Sequence, residues 1–449
     1  MASHQSKRIW ITDTTLRDGE QAPGVVFSDH EKRTIAEMLA ETGIDELEVG
    51  TPAMGRTECR AIQGVRNLNL PIRLTCWCRA VRRDIESAAQ CGTGSVHISF
   101  PVSSIHLNSM KKNEVRILEI LEEQVGIARK DFDLISVGAQ DAMRADPEFL
   151  EIFIQKARSC GAHRVRIADT VGIATPGTVY RLFNRLSRIS DIDLEFHAHN
   201  DLGMATANAV SAAEAGAGGL SVTVNGLGER AGNAPLEEVS AALTFASGRT
   251  CNVRTTRLMG LCAFVAQASR RPIPVGKPIT GSGAFLHESG IHCDGLLKDS
   301  RTYEAFPSEA VGWGKSRFVV GKHSGTHIIR HILRKSGIVI GTDGAERLLK
   351  AVRKAAADKG MSLSTDELLA LYYNTCRTPY FTLDKWKVFS YSIHEKGGGH
   401  EGHSQNQGPA DCGTGQRAPG DRNASVRTRD LEIKQEIRFG NPRKPRSPA

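Results

Sequence analysis

Glu195, His197 and His199 stand at positions i, i+2 and i+4 of the segment DLEFHAHN (193–200). Side chains alternate between the two faces of an extended strand, so these three share one side and Phe196 and Ala198 the other. A lone strand histidine is usually a satisfied core residue. Two imidazoles on one face beside a carboxylate are better explained as donors to a divalent ion. Asp18 offers a hard oxygen and Asn233 an amide oxygen, if the fold brings them to the same place. Such a mixed set leaves positions for water and substrate oxygens. That suits a Lewis acid rather than a closed structural site.

The elements that must position these groups repeat along the chain. Eight short β-branched or apolar runs lie at 8–15, 46–52, 72–78, 95–102, 132–139, 164–171, 193–200 and 219–226. Helical patterns fill the intervals, as in 28–43 and 146–161. The latter opens on Asp146 as N-cap with Pro147 in its first turn and closes on Gly161. Alternating strand and helix at this spacing predicts parallel strands with crossover helices, and eight units fit an α/β fold of the (β/α)8 TIM-barrel type. The polar residues cluster at the C-terminal ends of the runs, where barrel active sites lie: Arg17 and Asp18, Glu48, Arg79, Gln140 and Asp141, Thr170, His197 and His199. In a closed barrel the first strand neighbours the last, which brings Asp18 toward the histidines.

The domain boundaries expected are 1–250 for the catalytic barrel, 251–378 for helical subdomains and 379–449 for a disordered tail. Helical periodicity recurs at 252–270, 324–337, 344–360 and 364–376, with a Gly-rich loop entering a short helix at 277–295. The stretch 397–425 is polar and Gly-rich and holds too little apolar surface to offset chain entropy. The formal charge is +8, and half of it lies from residue 380 onward, where 12 Lys and Arg face 8 Asp and Glu. That charge is read as a solvated surface and tail, with no nucleic-acid partner expected. No apolar run can cross a bilayer and MASHQSKRIW has no apolar h-region, so a cytoplasmic protein without membrane attachment is expected. The ten cysteines include no C-x-x-C, consistent with a reducing compartment. GLGERAGN (226–233) and GSGAF (281–285) are not dinucleotide fingerprints, and neither a P-loop nor a G-x-S-x-G elbow occurs.

Two long segments resemble signatures of the isopropylmalate and homocitrate synthase family: LRDGEQAPG (16–24) and FHAHNDLGMATANAVSAAEAGA (196–217). IADTVG (167–172), NGLGERAGN (225–233), HESGIHCDG (287–295) and GKHSG (321–325) are similar to further family blocks. WCRA (77–80) and GAQDAMRAD (138–146) bring the chain nearest to homocitrate synthases of the nitrogen-fixation type. The resemblance covers about residues 8–378. It implies a TIM barrel with helical subdomains, a divalent metal ion (Mg, Mn or Zn), acetyl-CoA as co-substrate, 2-oxoglutarate as acceptor and a homodimer.

The resemblance also implies roles. Asp18, His197 and His199 match metal ligands, and Asn233, beyond the eighth run, stays a further candidate from its position. Arg17 matches the arginine beside the oxo group and Glu195 a carboxylate near the metal. Gln21, Glu48 and Thr170 match the substrate pocket. His292 matches a catalytic histidine carried by the helical subdomain, often across the dimer, with Tyr303 as its neighbour. Arg79 and Arg166 are the candidate cations for the acceptor's distal carboxylate. Two departures stand out. Arg79 occupies a position where lysine-pathway relatives carry histidine, and Gln140 one where they carry glutamate; Gln140 cannot act as acid or base. Isopropylmalate and citramalate synthases are the rivals within the family, and hydroxymethylglutaryl-CoA lyase-like enzymes the rival from another reaction class.

Overall fold

The computed structural model describes residues 8–189 and 191–376. The expectation for residues 379–449 lies outside the described residues.

Eight strands run in chain order: β1 (Trp10–Asp13), β2 (Glu46–Gly50), β3 (Arg73–Arg79), β4 (Gly94–Pro101), β5 (Leu134–Gln140), β6 (Arg164–Asp169), β7 (Asp193–Ala198) and β8 (Gly219–Val222). Each pairs in parallel with its successor, and β1 closes on β8 with Trp10 opposite Gly219 and Asp13 opposite Val222, so the sheet is a closed barrel. Every strand boundary falls within a residue or two of an expected run, apart from the end of β8, which comes four residues early. β8 stops at Val222 because Val224–Gly226 curl into a 3-10 turn with Asn225 at φ 59°.

The surrounding helices are α1 (Asp29–Thr42), α2 (Arg56–Arg66), α3 (Arg82–Cys91), α4 (Ser104–Ser109), α5 (Glu114–Ala128), α6 (Pro147–Cys160), α7 (Pro176–Ile189), α8 (Ala205–Glu214) and α9 (Leu236–Phe245). Their ends follow local chemistry. Ser28 and Glu31 form a capping box at α1, a device worth about 1 kcal/mol. Asp146 accepts hydrogen bonds from the N–H groups of Glu148 and Phe149, both at 2.9 Å, and α6 ends on Gly161 at φ 93°. Phe196, on the outward face of β7, packs edge-on against Phe183 of α7 at 5.4 Å between centroids. That leaves Glu195 and His197 facing inward, as the alternation requires.

Beyond the barrel come α10 (Leu258–Ala268), α11 (Gly290–Lys298), α12 (Thr326–Lys335), α13 (Thr342–Lys359) and α14 (Thr365–Cys376). The helix expected from residue 252 starts at Leu258, because the chain before it is tied to α1 by the Arg254 N–H donating to Thr42 O at 2.7 Å. Leu258, Leu261, Cys262 and Val265 of α10 belong to the barrel's apolar core, together with Leu236 and Val239 of α9. The expected boundary at residue 250 therefore falls between two helices that share one core. A second core joins Cys293 of α11 to Ile328, Ile329 and Leu333 of α12, Leu348 and Val352 of α13 and Leu368 of α14. Among the described residues, no helix is long and apolar enough to cross a membrane.

Candidate active site and metal centre

The C-terminal mouth of the barrel holds one cluster of buried potential ligands, Asp18, His197 and His199, whose donor atoms all lie within 4.8 Å of one another. His197 Nε2 is 3.1 Å from Asp18 Oδ2 and 3.3 Å from His199 Nε2. His197 Nδ1 meets Ser221 Oγ at 3.0 Å; His197 and Ser221 are partners in the β7–β8 register, so pairing fixes the ring. His199 follows β7 and is held by an isolated antiparallel bridge to Asn233. Asn233 Nδ2 donates to Leu227 O at 2.9 Å, while its buried Oδ1 has no hydrogen-bond partner. A Cβ on Gly228 would stand 2.3 Å from Asn233 Nδ2, so glycine is what lets the amide lie there.

These groups suit a divalent cation. Burial opposes ionisation of Asp18, but the Arg17 guanidinium and the hydrogen bond to His197 outweigh it and hold the carboxyl well below its usual range. Burial and the neighbouring His197 push His199 down to about 4, so it is neutral at pH 7, the form that ligates metals. A carboxylate and two imidazole nitrogens converge on one buried spot, and Asn233, bridged to His199 through the backbone, carries a buried amide oxygen without a partner. An unpaired buried polar group is costly, and a cation answers it.

Below the cluster the barrel is filled by ion pairs rather than by the aliphatic layers common in such folds. Arg17 reaches Asp18 at 3.1 Å and Glu48 at 2.7 Å. Arg166 joins Glu48 to Glu195, the latter at 3.1 Å. Arg164, one tier deeper, pairs with Glu46 and lies 3.3 Å from Glu195. This ladder carries three guanidinium groups and four carboxyl groups, all buried, so its formal balance is one negative charge. A divalent cation at the mouth would turn that balance to one positive charge, which suits an anionic substrate. The Arg17 guanidinium also lies over the Trp77 ring, 5.4 Å from its centroid.

The structure therefore brings Arg17, Asp18, Glu48, Arg166, Glu195, His197, His199 and Asn233 into one contiguous region. It treats the other expected residues differently. Thr170 follows β6, and its Oγ1 accepts from the Asp141 N–H at 2.8 Å. Gln21, itself exposed, ends a 3-10 turn beyond Asp18. Arg79 is gripped by Asp84 of α3 through two hydrogen bonds, at 2.7 and 3.0 Å, and its side chain is 56% exposed, so it stands apart from the ladder. Arg166 keeps one buried nitrogen, Nη2, without a partner. Asp141 does not offer a free base in place of Gln140, because Arg144 and Ser103 occupy its carboxylate. His292 and Tyr303 stack on each other at 4.0 Å, yet both are exposed and neither belongs to the buried cluster.

Several residues of this region were not singled out as site residues from sequence. Ser221, Arg164, Glu46 and Trp77 all face inward on their strands, and the period-two rule applied to every strand would have found them. His97 of β4 meets Ser136 at 2.9 Å, and burial together with Arg166, Arg17 and Arg164 pushes its pKa well below the usual histidine value. A Cβ on Gly138 would stand 2.6 Å from this ring. Burial pushes Asp13 up to about 7 against hydrogen bonds from Thr15. Arg230 of the glycine-rich loop clasps Asp201 at 2.7 and 2.9 Å and donates to Thr170 O at 2.9 Å, fastening the loops after β6, β7 and β8 together.

Comparison with known proteins agrees with this geometry. The HMGL-like family model matches residues 8–265, and the "Homocitrate synthase post-HMGL domain-like" model matches residues 279–360. Homocitrate synthase 1 of Nostoc sp. is 45% identical over 365 residues, covering 81% of this chain and 97% of its own. Homocitrate synthase of Frankia alni is 42% identical over 334 residues, covering 73% of this chain and 94% of its own. 2-Isopropylmalate synthase 2 of Caldanaerobacter subterraneus subsp. tengcongensis is 44% identical over 373 residues, covering 83% and 97%. Among solved structures, the HMG-CoA lyase of Bacillus subtilis superposes with a TM-score of 0.54 at 20% identity, covering 60% of this chain and 96% of that one, a likeness of fold. With an ion-paired barrel, a buried Asp-His-His mouth and both family models in order along it, the chain belongs to the HMGL-like family, among its homocitrate and isopropylmalate synthases, and is an acyltransferase-type condensing enzyme.

Proposed function

We propose that this enzyme is a homocitrate synthase, joining the acetyl group of acetyl-CoA to 2-oxoglutarate, with water releasing CoA and (R)-homocitrate for nitrogenase cofactor assembly. The observation that carries the reaction class is the buried Asp18–His197–His199 cluster with Arg17 beside it. In the condensation the methyl of acetyl-CoA loses a proton and its carbon attacks the ketone, whose oxygen becomes an alkoxide. A divalent ion (Mg, Mn or Zn) held by Asp18, His197, His199 and Asn233 supplies Lewis-acid polarisation of the acceptor's oxygens when bound. Arg17, fixed by Glu48 and Asp18, presents a preorganised cation to the developing oxyanion. Glu48 and Glu195 act by holding Arg17 and Arg166 in place, and Gln21 and Thr170 border the acceptor pocket. The free Nη2 of Arg166 is the donor that suits the acceptor's distal carboxylate. Arg79 serves only if it leaves Asp84.

2-Oxoglutarate is favoured by likeness to homocitrate synthases at 41–45% identity. The 44% identity to a 2-isopropylmalate synthase makes 2-oxoisovalerate the second reading. An acetyl-CoA assay over 2-oxoglutarate, 2-oxoisovalerate and pyruvate, following free thiol release, separates them. With 2-oxoglutarate the specificity constant is expected to be about 100-fold or more higher, because an unmet carboxylate partner in the pocket penalises apolar acceptors. Faster turnover of 2-oxoisovalerate or pyruvate refutes the homocitrate reading and leaves the condensing enzyme intact.

The proton acceptor in this proposal is His292, with Tyr303 stacked against it, supplied to the mouth of a partner barrel in a homodimer. Ile291 beside it is 74% exposed, and Val26, Met54 and Leu202 on the loops of the mouth are 71%, 75% and 59% exposed. Apolar side chains this bare on both sides suit burial between two copies. Mixing an inactive His292→Ala variant with an inactive His199→Ala variant, after subunit exchange at equal amounts, should restore about a quarter of wild-type activity, since about half of the dimers are mixed and each of these holds one intact site of two. No recovery despite exchange shown by mass spectrometry means that His292 serves its own barrel or none.

A further inference from the structure

Thr170, one residue past β6, is held from two sides. Its Oγ1 accepts from the Asp141 N–H at 2.8 Å, and its carbonyl oxygen accepts from Arg230 Nη2 at 2.9 Å. Both partners adopt the left-handed backbone, Asp141 at φ 62° and Arg230 at φ 55°. Outside glycine such conformations are uncommon and persist where surrounding contacts over-determine them. The buried Asp141 carboxylate supplies those contacts. It accepts from Ser103 Oγ at 2.5 Å and from Arg144 Nε and Nη2, each at 2.8 Å. Ser103 is fixed in turn as the N-cap of α4, where it accepts from the His106 N–H at 3.3 Å. Asp141 therefore ties the loops after β4, β5 and β6 together at one buried point.

The direction of the bond to Thr170 decides what the hydroxyl can do. A hydroxyl has one proton and two lone pairs, and a backbone N–H can only donate. Thr170 Oγ1 is thus the acceptor in that bond and keeps its own proton. Among the described residues no hydrogen bond takes that proton. Alternation along β6 puts Arg164, Arg166 and Ala168 on the inner face, and Thr170 follows in the same phase. The residue before it, Asp169, pairs with Ala198, the residue before His199. The hydroxyl is left as a donor at the barrel's mouth, and a carboxylate, which only accepts, is the group that matches it.

We propose that Asp141 is a positioning residue for acceptor binding, whose clamped left-handed backbone orients the Thr170 hydroxyl to donate to the carboxylate beside the 2-oxo group. This rests on the reading of the mouth as the site of the 2-oxo acid. Asp141 is 0% exposed, so it acts through Thr170 and not on the substrate. Ser103 and Arg144 act one step further back, by holding its carboxylate. The same bonds that deny Asp141 a role as a base give it this one.

The test is steady-state kinetics on the full chain, varying acetyl-CoA and the 2-oxo acid that it turns over best. Every 2-oxo acid of the panel carries the same carboxylate, so a different preferred acceptor ends the homocitrate reading and leaves this test standing. Thr170→Val should raise KM for the 2-oxo acid about 10–100-fold, the loss of one hydrogen bond to a charged group. KM for acetyl-CoA should stay within about twofold. Asp141→Ala should give the same split, with a rise of about 10-fold or more. Asp141→Asn tolerates the left-handed backbone but keeps a single acceptor oxygen for Ser103 and Arg144. It should lie between wild type and Thr170→Val, and it carries the test alone if circular dichroism shows the alanine variant unfolded. In the Thr170→Val background neither change at Asp141 should raise that KM by more than about twofold, because the hydroxyl it positions is gone. An unchanged 2-oxo acid KM in every folded Asp141 variant, a parallel rise in both KM values, or losses that multiply in the double variants overturns the proposal.

Discussion

Replacing His199 with alanine should reduce bound metal from about one ion per chain to a small fraction and lower turnover by about 10³-fold or more, with the fold intact. His199 is one of three buried donors converging within 4.8 Å, so its loss leaves Asp18 and His197 without the geometry to hold the ion tightly. It sits beyond the end of β7 and carries none of the ladder's ion pairs, which is why circular dichroism should remain that of the wild type. Ser221→Ala gives the graded companion. It removes only the hydroxyl that steadies His197 Nδ1 at 3.0 Å, and losing such a support typically weakens metal binding by about 10–100-fold. Elemental analysis after gel filtration, with activity on the same samples, reads both. A His199→Ala protein that keeps its full metal complement would remove these residues from the ligand set.

The second large effect is on stability. Arg166→Ala removes the cation shared by Glu48 and Glu195 and leaves two buried carboxyl groups short of a partner. Breaking a buried pair from one side costs about 3–5 kcal/mol, because the remaining group has lost both water and counter-charge. Arg116→Ala is the matched control. Its pair with Glu119 is exposed on both sides, at 55% and 56%, and such a pair contributes about 0–1 kcal/mol. Urea unfolding midpoints of the two variants should differ accordingly. A loss below about 1 kcal/mol for Arg166→Ala would mean that water reaches the ladder and shares its charges.

The chain's local rules were readable from one end of the barrel to the other. Alternation within DLEFHAHN placed Glu195 and His197 on the inner face. The caps Asp146 and Gly161 bounded their helix, because a cap is made within a few residues of itself. The candidate metal donors His197, on β7, and His199, just beyond it, were visible for the same reason, since alternate residues of an extended segment need no tertiary information to share a side.

What the sequence could not settle was the partner of each charge. Arg79 and Arg166 looked equivalent, as inward-pointing arginines near strand ends. Closure of the barrel sets Arg166 against Glu48, 118 positions away, whereas the turn after β3 folds Arg79 onto Asp84, only 5 positions on. His292 is similar: its helix and its contact with Tyr303 follow from nearby residues, but the structure leaves it exposed and outside the buried cluster. Period and capping act over a turn or two of backbone. Ion pairing in a barrel interior depends on shear and closure, which sum the geometry of all eight strands, and only the folded chain performs that sum.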